Sequence, residues 1–570
     1  MGNYNLVELF SGIGSQHKAL KNLGVKVNTL GTCEWDVHAI AAYDLIHNNP
    51  ADIPDEVMSL TKMELLELLK DKTFSNSGKT PLDYRSLKTY SLETLQRIYA
   101  SITRNHNFVD IRSLKGDEMP DNIDILTYSF PCQDLSNVGA FHGYNKGIDK
   151  DSGSRSSLLW QVGRILTEMS AAHISLPRYL LMENVPTLLS KRHFPNFRIW
   201  IDDLKRLGYL SKYFQLNASS FGLPQNRPRL LMISVYAGQN DDERRLIDAY
   251  FNVKNEEAII QDYQNSKFFH NISVRELLRT DYSNCAFFHE ALESTPRDTV
   301  SRKKIWDNNP QIVLSGNKFN ESIQCIRTIT TKQDRNPNSG NLYFEPNIKG
   351  LGNFRYLTPR ECLLFMGFSD SDFERLQNNK LDFHKGDGLF SRDKIVRMAG
   401  NSIPVKLLEG IFLQILQMDD MLHEYRNYCH THDADLSQMT RYKASIRSYL
   451  FSRGIHSRSS SARYLSKADI VYSKYKTAVY IYNRFVHAFP LSDALMQKYE
   501  SNGWICVLDK IYQEDMEEQT DAIKNGWNVL VLYEDDFNSL TRDETFKQIE
   551  EHIRANTKSS GETGKVITYG

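Results

Sequence analysis

The chain of 570 residues has almost no net charge, few cysteines and no long apolar run. Its formal net charge is -1, so no overall positive field indicates a nucleic-acid partner, and any such binding must use local patches. Its seven cysteines are odd in number and follow no repeated spacing, which excludes a disulfide framework or a zinc signature and favours a reducing compartment. The first residues lack the basic and apolar regions of a signal peptide, and no apolar run approaches a membrane span. We therefore expect a cytoplasmic protein without a membrane partner.

The composition is that of an ordinary globular protein, with 41% hydrophobic and 24% charged residues. A chain of this length is too long for one compact core, so two or three domains are expected.

The amino-terminal residues have the pattern of the first unit of a Rossmann-like fold. Residues 5–10 predict a strand, residues 11–15 a glycine-containing turn, and residues 16–23 a helix. A second predicted strand, residues 25–32, leads to Glu34, about 20 residues beyond the glycines, where such folds place a carboxylate against ribose hydroxyls. Residues 50–105 then predict a mostly helical insertion.

A cysteine follows the predicted strand at residues 123–128. Pro131 ends that strand because proline removes a backbone donor, so Cys132 is delivered to the carboxyl-terminal edge of the sheet, where open α/β sheets bind ligands. The alternative is that Cys132 is a small buried hydrophobic residue. The polar stretch 139–157, rich in glycine and serine, predicts either a loop that closes over a substrate or a plain solvated loop.

Two further segments carry polar side chains to the same region. Residues 178–185 predict a strand with Glu183 near its end, which meets Cys132 if the sheet is parallel. Arg227 and Arg229 precede the strand predicted at residues 230–235, a position that suits recognition of a polar ring or a phosphate.

Six ordered motifs now resemble those of the DNA (cytosine-5)-methyltransferases, namely residues 10–14, 131–133, 183–185, 225–229, 355–361 and 400–404. The resemblance implies an α/β, Rossmann-like S-adenosylmethionine-dependent methyltransferase fold with an inserted target-recognition domain and a small C-terminal α/β module. Carbon 5 of cytosine is a poor nucleophile, so a thiolate must first add at carbon 6, a role that suits Cys132. In this interpretation Glu183 holds or protonates ring nitrogen 3, Arg229 holds the ring carbonyl oxygen, and Arg227 supports the site.

The resemblance also implies a cofactor site and a set of DNA contacts. Glu34 would accept from the ribose and Asp110 from the adenine amino group, while Trp35 either stacks on the adenine or packs beneath a loop. The implied S-adenosylmethionine site comprises Phe10, Gly12, Ile13, Gly14, Glu34, Trp35, Asp110, Ile111, Pro131, Asn401 and Ser402. The implied DNA contacts are Ser136, Arg155, Thr328, Thr330, Thr331 and Arg335, although the threonine segment could instead be a polar turn without DNA contact.

The predicted domains are a catalytic domain at 1–235 and 354–418, a target-recognition domain at 236–353, a linker at 419–435 and a C-terminal module at 436–570. The module resembles the very-short-patch repair endonucleases. Asp469 matches their metal-binding aspartate, His487 their distal histidine, and Phe485 an aromatic wedge. The pattern is incomplete, because Tyr482 and Ile481 stand where a histidine and a threonine are expected. We therefore expect an inactive nuclease fold without a metal, and metal-dependent nicking through Asp469 and His487 is the alternative.

The function predicted from the sequence is transfer of a methyl group to carbon 5 of a flipped cytosine in a specific duplex DNA sequence. We expect a monomer within a restriction-modification system, with a possible cognate restriction endonuclease. Three alternatives stay open: an RNA methyltransferase of the same superfamily, a nicotinamide oxidoreductase, and a DNA-binding protein without catalysis.

Overall fold

The structure is a computed structural model, and it describes residues 3–48, 52–131, 148, 155–333, 339–379, 381–384, 387–432, 436–457, 462–487, 503–537, 542–555 and 566–568. The chain divides into two compact units, the first comprising Met1–Tyr236 and Glu256–Gln414 and the second Ala237–Asn255 and Ile415–Gly570. Within the described residues, every helix is too short or too polar to cross a membrane.

The main strands are β1 Asn3–Leu9, β2 Lys26–Cys33, β3 Ile125–Tyr128, β4 Tyr179–Asn184, β5 Tyr209–Asn217, β6 Pro228–Tyr236, β7 Gln311–Leu314, β8 Lys318–Phe319, β9 Asn341–Tyr343, β10 Phe354–Arg355, β11 Ile470–Tyr472, β12 Thr477–Tyr482, β13 Asn528–Tyr533 and β14 Val566–Thr568.

The helices are α1 Ser15–Asn22, α2 Val37–His47, α3 Asp55–Met58, α4 Lys62–Leu69, α5 Tyr84–Leu87, α6 Leu92–Arg104, α7 Leu159–Ala171, α8 Phe194–Arg206, α9 Asp241–Val253, α10 Glu256–Gln264, α11 Val274–Leu277, α12 Cys285–Glu293, α13 Val300–Asn308, α14 Pro359–Leu364, α15 Asp370–Asn378, α16 Arg392–Asn401, α17 Val405–Thr431, α18 Leu436–Ser452, α19 Arg484–His487, α20 Ile505–Lys524 and α21 Arg542–Ala555.

The first unit is built on a six-stranded sheet in the order β2-β1-β3-β4-β6-β5. The four strands from β2 to β4 are parallel. The near-continuous burial of β1, β3 and β4 is typical of a parallel sheet that is covered on both faces, whereas the first half of the edge strand β2 is partly exposed. The helices α7 and α8 pack on this sheet through Trp160 and Trp200, whose rings meet edge to face. The mixed α/β fold that the sequence predicts is confirmed.

Two features of this sheet differ from the simple parallel pattern. Strand β6 runs antiparallel to β4, with Asn184 opposite Leu230, so the residues that precede β6 lie at the edge where β4 ends. Strand β5, which the sequence analysis missed, pairs antiparallel with the other side of β6. This strand carries Lys212 and Gln215 among its apolar residues, so it lacks a clear period-two pattern.

The first unit also contains the helical insertion between β2 and β3 and a second, smaller sheet. The insertion contains the helices α3 to α6 joined by loops, and α6 packs on α2 and α4. Beyond β6, a small sheet has the order β10-β9-β7-β8. The region predicted as one domain, 236–353, is divided, because residues 237–255 belong to the second unit and the rest to the first.

The second unit contains α9, the end of α17, α18 and a four-stranded sheet in the order β11-β12-β13-β14. The sequence predicts that the helix after residue 405 ends at Met418 and that a linker follows, but α17 continues to Thr431. The reason is that Met418, Met421, Leu422 and Tyr425 recur at helical spacing and are all buried.

A buried ion pair fixes the start of α14 in the first unit. Arg355 and Glu361 are both 0% exposed, and two guanidinium nitrogens lie 2.7 and 2.8 Å from the two carboxylate oxygens. The same carboxylate accepts from the backbone N–H groups of Thr358 and Arg279. These four donors satisfy a carboxylate that would otherwise be costly to bury.

Substitution Arg355→Met should therefore lower the free energy of unfolding by about 3–5 kcal/mol, because it leaves the buried charge of Glu361 without its cation. Chemical denaturation followed by circular dichroism measures this loss. Arg206→Met is the matched control, since Arg206 is 72% exposed and its removal should change little. A loss below about 1 kcal/mol for Arg355→Met would show that the pair is dispensable.

Candidate active site

A cavity of about 580 Å³ lies at the edge of the first unit's sheet where β1 to β4 end, a volume within the range of about 300–1,000 Å³ that is usual for small-molecule sites. Most residues that the sequence predicts for the site line this one cavity: Phe10, Gly12, Ile13, Glu34, Trp35, Asp110, Ile111, Pro131, Glu183, Arg227, Arg229, Asn401 and Ser402.

Gly14 is the predicted cofactor residue that does not line the cavity. It stands at the start of α1 with a positive φ of 75°, and a Cβ there would lie 2.2 Å from Nε2 of His47. Its role in the structure is to permit the turn and the close packing of α1 on α2, which a larger residue would prevent.

Glu34 is held by backbone donors from two segments of the cavity wall. Its Oε2 accepts from the N–H of Gly12 at 3.0 Å, and its Oε1 accepts from the N–H groups of Trp35 and Asp36 at 2.9 and 2.8 Å. Burial raises the pKa of Glu34 to about 7, and the nearby charge of Asp36 acts in the same direction. The protonation of this carboxyl group therefore changes near neutral pH.

Asp110 and Trp35 form a second part of the wall and share a partner, Arg112. The Arg112 guanidinium donates to both carboxylate oxygens of Asp110, at 3.0 Å from Nε to Oδ1 and from Nη2 to Oδ2. It also lies 5.4 Å from the centre of the Trp35 ring. The sequence analysis did not single out Arg112, although it lies only two residues beyond Asp110.

Three side chains fix the backbone that follows β3. Gln16 Nε2 donates to the Ser129 hydroxyl at 3.0 Å, and Asn184 Nδ2 donates to the Phe130 carbonyl at 3.0 Å. The Ser156 hydroxyl donates to the Pro131 carbonyl at 2.6 Å. The chain is thus held firmly at Pro131, while Cys132 lies outside the described residues.

Glu183 and Arg229 form an ion pair in the cavity wall, with Nε of Arg229 2.7 Å from Oε1 of Glu183. Each side chain is only 12% exposed. Burial raises the pKa of Glu183, and the cations of Arg229 and Arg227 oppose that rise. The pair arises because β6 is antiparallel, which places Arg229 beside the end of β4. It offers an acid and a guanidinium side by side, a combination suited to a planar ring with a donor and an acceptor.

Arg227, predicted as part of the catalytic set, is 1% exposed and binds backbone. Its Nη1 donates to the carbonyl of Ile329, and its Nη2 donates to the carbonyls of Gly400 and Ser402, each at 2.7 Å. The structure therefore gives Arg227 a positioning role: it ties the threonine segment and the end of α16 to the start of β6.

The threonine segment is the part of the predicted DNA interface that the structure describes. Thr328 donates to the Asn226 carbonyl at 2.7 Å, and Thr330 donates to the Lys332 carbonyl at 2.8 Å. Thr331 packs so closely that a Cβ on Gly400 would lie 2.5 Å from its backbone nitrogen. Ser136, Arg335 and the side chain of Arg155 lie outside the described residues.

The helical insertion contributes a loop that sequence reasoning missed, residues 74–82. The Ser75 N–H donates to the Trp35 carbonyl at 2.8 Å, and the Val37 N–H donates to the Ser75 carbonyl at 3.0 Å. The Ser75 hydroxyl donates to the Thr80 carbonyl at 2.7 Å and so closes the loop on itself. As a result Gly78, Lys79 and Pro81 line the cavity beside Glu34 and Asp36.

Arg397 secures this loop from the other side. Its Nη1 donates to the Asn76 carbonyl and its Nη2 to Oδ2 of Asp36, both at 2.7 Å. No local motif around Lys79 or Arg397 marks them as site residues. Only the tertiary pairing of the insertion with the residues after β2 reveals them.

The residues of the second unit that resemble a nuclease site already have polar partners. Oδ1 of Asp469 lies 2.6 Å from Nζ of Lys443, and its Oδ2 accepts from the Ile481 N–H. Nδ1 of His487 lies 2.7 Å from Oδ2 of Asp515, and its ring stacks on Tyr482. Among the described residues, no cluster of three histidine, cysteine or acidic side chains is arranged to hold a metal ion.

Phe485 does not have the exposure that a wedge into DNA requires. It is 5% exposed, and its ring lies 5.8 and 5.6 Å from the rings of Tyr425 and Tyr428. The side chain is thus part of the buried interior of the second unit, and the wedge role implied by the resemblance stays a prediction.

Comparison with known proteins identifies the family. The sequence profile of the C-5 cytosine-specific DNA methylases matches residues 89–417. The orphan methyltransferase M.SssI of Spiroplasma monobiae is 31% identical over 72% of this chain and 96% of its own length. The type II methyltransferase M2.ScrFI of Lactococcus lactis subsp. cremoris is 30% identical over 72% of this chain and 98% of its own length. The crystal structure of S. pombe Dnmt2 methyltransferase aligns with a TM-score of 0.43 at 15% identity, over 73% of this chain and 98% of that chain.

The profile match covers more than half of the chain, and a relative 31% identical is spanned almost completely. The predicted activity is thereby confirmed: the chain belongs to the C-5 cytosine-specific DNA methylases and is a DNA (cytosine-5-)-methyltransferase.

Proposed function

We propose that this enzyme methylates cytosine within one short duplex DNA sequence, as the modification component of a restriction-modification system, and that it acts as a cytoplasmic monomer. The observation that carries the proposal is the Glu183–Arg229 pair, which faces the same cavity as Pro131, the residue directly before Cys132. An acid, a guanidinium and a thiol at one edge are the three groups that cytosine activation needs.

The cofactor is S-adenosylmethionine, which supplies an electrophilic methyl group on its sulfonium sulfur when bound. The described residues fit this group. The acids Glu34, Asp36 and Asp110 line one part of the cavity, and they suit a ligand that carries hydroxyl and amino donors and positive charge. We assign Glu34 to the ribose hydroxyls and Asp110 to the adenine amino group.

The roles of the chain's own residues follow from their chemistry. Cys132 adds to carbon 6 as a thiolate, which raises the electron density at carbon 5. Glu183 holds or protonates ring nitrogen 3, so that negative charge does not accumulate during the attack. Arg229 donates to the ring carbonyl oxygen. Arg227 holds the threonine segment against the start of β6 through its hydrogen bond to the Ile329 carbonyl.

None of these groups can reach a cytosine inside a stacked duplex, so the base must be flipped into the cavity. Thr328, Thr330 and Thr331, with Ser136, Arg155 and Arg335, are proposed to contact the DNA around it. The family is described as cytosine-specific DNA methylases, so an RNA substrate is not favoured.

We propose that the second unit keeps a nuclease-like fold without cleavage. The support is that both carboxylate oxygens of Asp469 already have partners, Lys443 and the Ile481 N–H, which a hard divalent ion would have to displace.

Substitution Cys132→Ser should abolish methyl transfer while cofactor binding stays largely intact, because a hydroxyl is a much weaker nucleophile than a thiolate. The measurement is tritiated methyl incorporation, with bisulfite sequencing of DNA from expressing cells to identify the methylated sequence. Cys285→Ser is the matched control, since Cys285 is exposed and far in sequence from the motifs. Normal incorporation by Cys132→Ser would refute the mechanism.

Cofactor affinity should rise with pH through neutrality. Ribose hydroxyls donate to an ionised carboxylate, and Glu34 ionises only as the pH passes its pKa of about 7. The dissociation constant should therefore fall by up to about ten-fold between pH 6 and pH 8. Isothermal calorimetry across this range measures it, and Glu34→Gln should bind weakly at both values.

The matched control for this pH dependence is Glu8→Gln. Burial also raises the pKa of Glu8 to about 7, but this residue does not line the cavity. Its replacement should leave the pH dependence of cofactor binding unchanged. If the pH dependence of cofactor binding is lost in Glu8→Gln and kept in Glu34→Gln, it arises from Glu8, and the assignment to Glu34 is wrong.

Substitution Lys79→Ala should weaken cofactor binding by about three- to ten-fold, the loss of one polar contact, and should leave the turnover number at saturating cofactor unchanged. The reason is that Lys79 lines the cofactor cavity on the side of Glu34 and Asp36. Steady-state kinetics with varied cofactor separate KM from kcat. Lys88→Ala, in the same insertion but outside the cavity, is the control. Equal KM values for both variants would exclude a contact by Lys79.

A further inference from the structure

A basic segment lies in the part of the chain beyond the family match, which ends at residue 417. Residues 436–468 contain seven cations and no aspartate or glutamate, in a protein whose formal net charge is only -1. The cations are Arg441, Lys443, Arg447, Arg453, Arg458, Arg463 and Lys467. Since the composition of the whole chain is balanced, this segment is the local patch through which the second unit can attract a polyanion.

The helix α18 carries the first half of this segment and is clearly two-sided. Met439, Ile446 and Leu450 are buried in a core of the second unit. At about 100° per residue, the exposed positions fall on one arc of about 140° on the opposite side. This outer face of α18 consists of Ser437, Thr440, Arg441, Ala444, Arg447, Ser448, Phe451 and Ser452.

The cations of this segment differ in whether they form an ion pair with a carboxylate. Lys443 is paired with Asp469, Lys467 with Glu514, and Arg453 lies 3.8 Å from Glu550. Arg441 and Arg447, by contrast, form no ion pair with any carboxylate among the described residues, and both are exposed. Arg441 contacts the Gln438 amide, and Arg447 donates to the Asp469 carbonyl. Arg463 is also exposed and forms no ion pair with a carboxylate among the described residues, and Arg458 lies outside them. The outer face therefore carries two of the three unpaired cations that the structure describes in this segment.

The same face has the other groups that nucleic-acid surfaces use. The hydroxyls of Thr440 and Ser448 lie on it beside the arginines, and hydroxyl groups of this kind donate to phosphate oxygens. Phe451 is 65% exposed, which is unusual for a phenylalanine, and it lies on the same arc as Arg447, one turn further along the helix. Its ring packs edge to face against His456, with 4.9 Å between the ring centres, and an exposed aromatic side chain of this kind is suited to the sugar of a nucleotide.

We propose that the outer face of α18 binds the phosphate backbone of duplex DNA and so gives the enzyme a second DNA contact, outside the methyl-transfer site and independent of base sequence. Charge complementarity selects this occupant: the face offers two exposed guanidinium groups and no acid, and the substrate of the enzyme is itself a polyanion.

The test uses the full-length enzyme and a fluorescent duplex that lacks the methylation sequence, with binding measured by anisotropy over a range of salt concentrations. Each phosphate contact contributes about -0.9 to the slope of log affinity against log salt. The double variant Arg441→Ala/Arg447→Ala should reduce the magnitude of that slope by about 1.8 and weaken binding in about 0.1 M salt by about ten-fold or more. Its kcat for methyl transfer at saturating DNA should be unchanged.

Two further variants keep the result interpretable. Lys510→Ala/Lys524→Ala removes the same charge from α20 of the second unit and should leave the slope close to that of the wild type. Arg441→Lys/Arg447→Lys keeps the charge and should restore most of the slope. An unchanged slope in the arginine-to-alanine variant, or an equal loss in the α20 variant, would overturn the proposal. Tighter binding of a matched RNA duplex than of DNA would also overturn it. Because the duplex carries no methylation site, these outcomes are independent of methyl transfer.

Discussion

The buried guanidinium of Arg227 is the interaction on which the site depends. It reaches three backbone carbonyls that lie 102, 173 and 175 residues away in the chain, those of Ile329, Gly400 and Ser402. A buried arginine must find acceptors, because its charge is costly to hide without them. The hydrogen bonds from its guanidinium to these carbonyls hold the threonine segment and the end of α16 against the start of β6. The cavity wall is therefore assembled by a residue that makes its polar contacts with backbone.

The direction of one strand explains the pairing of the two groups proposed to hold cytosine. Had β6 been parallel to β4, its first residues would lie at the opposite edge of the sheet from Glu183. Because β6 is antiparallel, Arg229 enters the sheet where Glu183 leaves it, and the two side chains meet at 2.7 Å. The edge strand β5 then covers the far side of β6. The topology of this half of the sheet thus sets the chemistry of the cavity.

These points also show what could be predicted from the sequence. Runs such as the residues of β1, β3 and β4 are apolar enough to identify the parallel core, and the glycine turn and Glu34 follow from local pattern. The direction of β6 and the contribution of Lys79 could not be found this way, because each depends on tertiary contacts. Strand β5 was missed because Lys212 and Gln215 break its alternation of apolar and polar residues. The end of α17 was missed because its last turns have a polar outer face, although Met421 and Tyr425, four residues apart, are both buried as on one face of a helix. The positions of Cys132 and Arg335 remain predictions.

The net charge of the chain is close to zero, but acids and cations are concentrated in different places. The acids line the cofactor cavity, and a group of cations lies in residues 436–468, the segment proposed to bind DNA. The acids of the cavity, Glu34 and Glu183, lie in buried surroundings that raise their pKa values, and neighbouring donors and cations oppose that rise. A cationic cofactor favours the charged form of such acids in the same way. The exposed arginines of α18, Arg441 and Arg447, lie by contrast on a face without acids, as binding to a polyanion requires. A balanced overall composition is therefore compatible with a cationic cofactor and an anionic substrate, because the cavity acids and the exposed arginines lie on different parts of the chain.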